Sequence, residues 1–106
     1  MALTQQGDES ITVSSTAVGF TATEVPPYKD KGHIMKADVY VESGGPIRWN
    51  HTNVNTPTQG GSEGSPLVYA DSIIHVVGSL STFRMIKDTG AGDATVRVVF
   101  FGSAAH

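Results

Sequence analysis

Residues Ile34 to His51 read IMKADVYVESGGPIRWNH, and the alternation within them decides the fold class. Ala37, Val39 and Val41 alternate with Lys36, Asp38, Tyr40 and Glu42. That is the period of a strand with one dry and one wet face. Ser43-Gly44-Gly45-Pro46 interrupts the run with glycines that accept positive φ and a proline that has no N–H to give to a ladder. Beyond it Ile47 and Trp49 fall on one side, Arg48 and Asn50 on the other. Two amphipathic runs joined by so short a breaker predict a β-hairpin.

On the N-terminal side, residues 1–9 are polar and aperiodic, which predicts a flexible or partner-ordered arm. Ile11 to Ser15 and Thr16 to Ala22 are β-prone runs in which Ile11 pairs in phase with Val13 and Val18 with Phe20. Residues 24–33, with two consecutive prolines, predict a loop. On the C-terminal side, His51 to Pro66 is nearly all Asn, Thr, Ser, Gly, Gln and Pro, a long irregular connection of the kind that carries function or lacks structure. Leu67 to Ala70 resumes a short apolar run. In Asp71 to Val77, Ile74 and Val76 oppose Ile73, His75 and Val77. Phe83 and Ile86 lie three apart, a spacing that a bulge or an initial helical turn would reconcile. Thr89 to Asp93 predicts a glycine-rich turn, and Ala94 to Phe101 a last strand with Val96, Val98 and Phe100 inward and Val99 and Phe101 outward.

Seven or eight short strands with no sustained helical period predict an all-β, single-domain, jelly-roll-like β-sandwich over residues 10–102, between the 1–9 arm and a frayed 103–106 tail. Its expected core is Val39, Val41, Ile47, Trp49, Ile74, Val76, Phe83, Ile86, Val96, Val98 and Phe100.

The hydrophobic share of 39% with Gly 12 and Pro 5 also favours many turns over helices. A net charge of −3 with scattered basic residues argues against nucleic acid or an anionic membrane surface as partner. The absence of cysteine removes disulfides, thiolate metal sites and thiol nucleophiles. Neither a secretory leader nor a membrane-length apolar window is apparent, so a protein not exported by the general secretory route is expected.

His33, His51, His75 and His106 lack metal-ligand spacing, so no metal and no cofactor are expected. Ser, His and Asp are present without a Gly-x-Ser-x-Gly elbow, and Asp38 and Glu42 share the wet face of one strand, where solubility is the simpler reading than acid–base catalysis. The glycine-rich stretches 59–64 and 90–93 lead into no helix that could hold a phosphate. No catalytic residues are expected. The aromatic residues carry more: Tyr40, Tyr69, Phe101 and Trp49 at outer faces or rims fit packing against a second protein, since interfaces are enriched in such side chains. Sugar stacking on Tyr40, Tyr69 or Trp49 near Asn50 and Asn53 is the alternative.

The second half of the chain resembles a known family. Pro46-Ile-Arg-Trp49, Thr56-Pro-Thr58, Ala70-Asp-Ser-Ile73, Phe83-Arg-Met-Ile-Lys-Asp-Thr-Gly90 and Asp93-Ala-Thr-Val-Arg-Val-Val-Phe-Phe101 follow in order. This succession, over about residues 37–101, is similar to small all-β structural proteins encoded among the virion genes of tailed bacteriophages. The chain departs from that pattern in its long 52–66 loop, in Asn55 before Thr56-Pro57, and in Ala70 before Asp71. The resemblance implies a non-catalytic virion component, a capsid-decoration or head, neck or tail-associated protein, assembled in the host cytoplasm. Its implied partners are copies of itself in a closed ring, a trimer among the candidates, and other virion proteins. A carbohydrate-binding module acting in adhesion, with glycans as partners, is the alternative. The expected interaction surface comprises Tyr40, Asn53, Asn55, Gln59, Glu63, Tyr69 and Phe101.

Overall fold

Two long strands dominate the chain: β2 (Ile34–His51) and β5 (Phe83–Gly102) run antiparallel from Ile34 opposite Gly102 to His51 opposite Phe83. The computed structural model describes residues 3–21, 24–25, 33–51, 66–78 and 80–102. Three shorter strands complete one five-stranded antiparallel sheet: β1 (Thr4–Val13) pairs with β5, while β3 (Leu67–Val68) and β4 (Ile73–Val77) both pair with β2. The fold is all-β, and the described residues contain no α-helix.

The predicted hairpin at Ser43–Pro46 does not form. β2 runs straight through the breaker as one strand, and the expected Thr89–Asp93 turn is likewise absorbed into β5. The reason is that the two breakers face each other, with Gly45 opposite Gly92. Between that pair and Ile47–Lys87, two steps along β2 are matched by five along β5. Surplus residues on one strand kink a ladder instead of reversing the chain. Gly44 takes a φ of +77°, and a Cβ there would collide with the backbone oxygen of Asp93, so the crossing needs glycine for two separate reasons. Lys87 Nζ reaches across the kink to Asp93 Oδ1 at 2.9 Å.

The kink bends the open sheet so that the two ends of β5 approach each other. Phe83 and Phe100 stand seventeen positions apart on β5, roughly 57 Å in a straight strand. That exceeds the 44 Å long axis of the molecule. Yet Phe20 stacks on Phe83 at 4.9 Å between ring centroids and meets Phe100 edge-on at 5.5 Å. One aromatic ring is therefore clamped between the two ends of one strand. The chain following β1 tracks β5 over the same kink, with Lys87 N–H donating to Ser14 and Val18 exchanging both backbone bonds with Met85.

The core collects Val13, Ala37, Val39, Val41, Ile47, Ile74, Val76, Leu80, Phe83, Met85, Val96, Val98 and Phe100 around Phe20. Those of them that belong to strands lie on the dry side of the alternation. Two expected members differ. Trp49 is half-buried at the edge of the cluster, tilted against Phe83 at 5.6 Å. Ile86 is buried but outside the cluster, because it pairs with Arg48 on the opposite face of the sheet from Met85. A single 3₁₀ turn, Leu80–Thr82, precedes Phe83, but the expected phase change between Phe83 and Ile86 does not occur: Phe83 and Met85 alternate inward and Ile86 falls on the other face.

The expected arm is also corrected. From Thr4 onward its residues belong to β1, because Asp8 and Glu9 find ladder partners in Val99 and Val98. Among the described residues of the second β-prone run, only Val18 makes a bridge. Strand β5, apolar on both faces, is flanked by β1 and β2 and so is interior to the sheet. The 103–106 tail and all of the 52–66 loop except Pro66 lie outside the described residues.

Candidate interaction face

Cross-strand neighbours share a face, so the register fixes what the outer side of the sheet presents. In one row Gln5, Phe101, Lys36 and Val77 lie side by side; in the next, Asp8, Val99, Asp38 and His75; in the third, Ser10, Arg97, Tyr40 and Ile73. β-branched and aromatic side chains thus form diagonals between charged ones. Ile73 and Val77 are 49% and 66% exposed, and Val99, Phe101 and Tyr40 are half-buried by their neighbours.

The charges of this face are held in pairs. His75 Nδ1 lies 2.8 Å from Asp38 Oδ1, and Lys36 Nζ lies 3.7 Å from the same oxygen. Lys36 also stands 5.1 Å over the Phe101 ring, a cation–π distance. Arg97 donates to Asp8 at 3.0 Å and approaches Glu42 at 3.7 Å. Next to it, Tyr40, Glu42, Asp71, Ile73, Arg97 and Val99 line an open groove of about 410 Å³. Its rim is pinned by backbone bonds from Asp71 N–H to Val41 and from Val41 N–H to Ser72. Asp71 holds φ at +71°, a left-handed conformation that aspartate tolerates better than most residues.

Of the expected surface residues, Tyr40 and Phe101 are brought to this face, two rows apart. Tyr69 is exposed in the connection between β3 and β4. Asn53, Asn55, Gln59 and Glu63 lie outside the described residues. Trp49 packs against Phe83 and is half-buried. Asp38, read from the sequence as a solvent-facing carboxylate, is 7% exposed because Lys36 and His75 close over it from both sides. Ile73, Val77, Arg97 and the Asp38–His75 pair join the face although they are not among the expected interaction residues. Alternation had placed Ile73, His75 and Val77 outward, but nothing in their own spacing points to Asp38.

The histidines are dispersed. His75 pairs with Asp38, His51 packs edge-on to Phe83 at 6.2 Å, and His33 Nε2 lies 3.4 Å from Gln6 Oε1. No three His, Asp or Glu side chains converge as metal ligands among the described residues. On the reverse face of the kinked half, Arg48 Nε donates to Asp88 Oδ1 at 2.8 Å. That bond, with the Thr89 backbone N–H, holds the Asp88 carboxyl below the usual carboxylate range against the opposing effect of desolvation. No helix among the described residues is long and apolar enough to cross a membrane. No protein-family model, no curated protein and no solved structure matches the chain.

Proposed function

We propose that the chain is a non-catalytic structural component of a bacteriophage virion, working through protein–protein contacts made by the outer sheet face. The observation that carries this reading is the apolar set Ile73, Val77, Val99, Phe101 and Tyr40, the first two exposed and the others half-buried, interleaved with charges that are already paired on the chain itself. Charges compensated within one chain can be covered by a partner without leaving an orphaned ion, whereas unpaired charges would oppose docking. The virion assignment is supported by the succession of short motifs from Pro46 to Phe101 that resembles small structural proteins of tailed phages. In this reading the kinked sheet, bent over Phe20, serves as a sandwich-like, jelly-roll-like body that presents one face to a lattice of capsid, neck or tail proteins. Self-association into a closed homo-oligomer belongs to the same proposal.

The test is co-sedimentation of the purified protein with purified capsids and connectors, beside light scattering after size exclusion. Saturable binding to either particle supports the proposal, and a defined oligomer supports its self-association part. A protein that binds neither particle overturns it.

A second reading, carbohydrate binding, is favoured by the groove beside Tyr40, where an aromatic ring, a guanidinium and two carboxylates surround an apolar floor. A saturable glycan-array signal abolished by Tyr40→Ala would favour that reading over assembly.

A further inference from the structure

We infer that β4 is a self-association edge, at which two copies pair their β4 strands antiparallel about a two-fold axis through His75. This rests on the reading of the chain as a self-assembling structural protein and names the surface involved. Among the described residues the sheet has three lateral strands with a single ladder partner each: β1, β3 and β4. Open edges invite pairing with another chain, and proteins guard them with charge, proline or brevity. β1 carries Asp8 and Glu9, and β3 is two residues long. β4 reads Ile73-Ile74-His75-Val76-Val77, with no proline and no lysine, arginine, aspartate or glutamate. It is the unguarded edge.

The same five residues are close to palindromic. An antiparallel two-fold pairing centred on His75 sets Ile73 against Val77 of the second copy on the outer face. It sets Ile74 against Val76 of that copy on the core face. Each match joins two β-branched side chains, which is the favourable kind of cross-strand pair. Self-complementarity is what an isologous interface requires of a single strand, and a foreign strand would not need it. The polar groups agree. The one titratable residue of β4, His75, already has a hydrogen-bond partner in Asp38 at 2.8 Å, so each copy brings a satisfied pair to the axis. β1 would instead bring Asp8 and Glu9 of each copy to the seam, two carboxylates where β4 has none. The exposed Ile73 and Val77 gain cover, and the two outer faces merge across the axis into one longer surface.

Cysteine placement tests the register, since the chain has none of its own. In Ile73→Cys/Val77→Cys the two thiols of one strand are about 13 Å apart and cannot join. Across the proposed axis, Cβ atoms of opposed residues approach within about 5.5 Å. Mild oxidation should therefore give a covalent dimer, about twice the 11.1 kDa chain, without loss of the wild-type circular dichroism. Asp8→Cys/Thr12→Cys on β1, equally spaced and exposed, should stay uncrosslinked. Val77→Lys, which adds the missing guard twice per dimer, should weaken self-association at least about tenfold. Failure of the β4 pair to crosslink, or equal crosslinking of the β1 pair, overturns the inference. Wild-type protein that is monomeric in light scattering yet binds capsids overturns the edge and leaves the virion reading standing. A β4-crosslinked dimer that binds no virion particle keeps the edge and removes that reading.

Discussion

Asp38 and His75 face each other across the β2–β4 ladder, with Oδ1 2.8 Å from Nδ1 and the carboxylate all but withdrawn from water. The pair sits mid-sheet, between Val99 on one side and the open β4 edge on the other. His75→Ala leaves that carboxylate with Lys36 alone, at 3.7 Å. Losing a hydrogen-bonded partner of a buried polar group should cost about 1–3 kcal/mol, read as a lower midpoint in urea with an unchanged slope.

Phe20 bridges the kinked sheet by touching both Phe83 and Phe100, whereas Trp49 covers one side of Phe83 and remains half in solvent. Phe20→Ala should therefore cost about 3–5 kcal/mol and Trp49→Ala roughly half as much. Chemical denaturation of the two variants side by side reads the order, and the reverse order would contradict the clamp.

The two breaker segments distinguish close approach from backbone conformation. Gly44 and Gly90 have nearly the same positive φ, but a Cβ at Gly44 meets the Asp93 backbone while one at Gly90 meets open space. Gly90→Ala should cost only the left-handed penalty, about 1 kcal/mol, and Gly44→Ala clearly more. Thermal melts of both variants give the comparison.

Asp88 supplies a pH prediction. Its carboxyl is held below the ordinary carboxylate range, chiefly by the hydrogen bond from Arg48. A lowered folded-state value means the contribution is fully present above the unfolded value of about 3.9 and disappears as pH falls through the folded one. The gap in melting temperature between wild type and Arg48→Ala should thus narrow on acidification below that range. In Arg48→Ala the Asp88 carboxyl carbon should titrate closer to the ordinary value by NMR.

Face assignments were legible in the sequence because alternation survives a kink: Val41 and Ile47 keep the same phase on either side of Gly44-Gly45, and both are buried. The path of the chain was not. Ser43–Pro46 and Thr89–Asp93 each carry turn chemistry, and only their mutual pairing, across more than forty residues, makes them a joint kink. β1 was hidden for a different reason. Its inward positions include Gly7 and Glu9, and Glu9 accepts bonds from the Thr21 backbone and hydroxyl, so no apolar period marks Thr4 to Ser10 as a strand. Within the candidate face, phase alone put Tyr40 and Phe101 together, while the burial of Asp38 arises from Lys36 and His75 converging on it.

The outer face is the centre of the proposed role, and Tyr40 and Phe101 are its two aromatic members. The affinity of purified capsids or connectors for Tyr40→Ser/Phe101→Ser tests that role most directly. Aromatic residues at the middle of an interface commonly carry 2 kcal/mol or more, so binding should fall at least about tenfold while the melting curve stays cooperative. Unchanged affinity in a folded double variant would contradict the account.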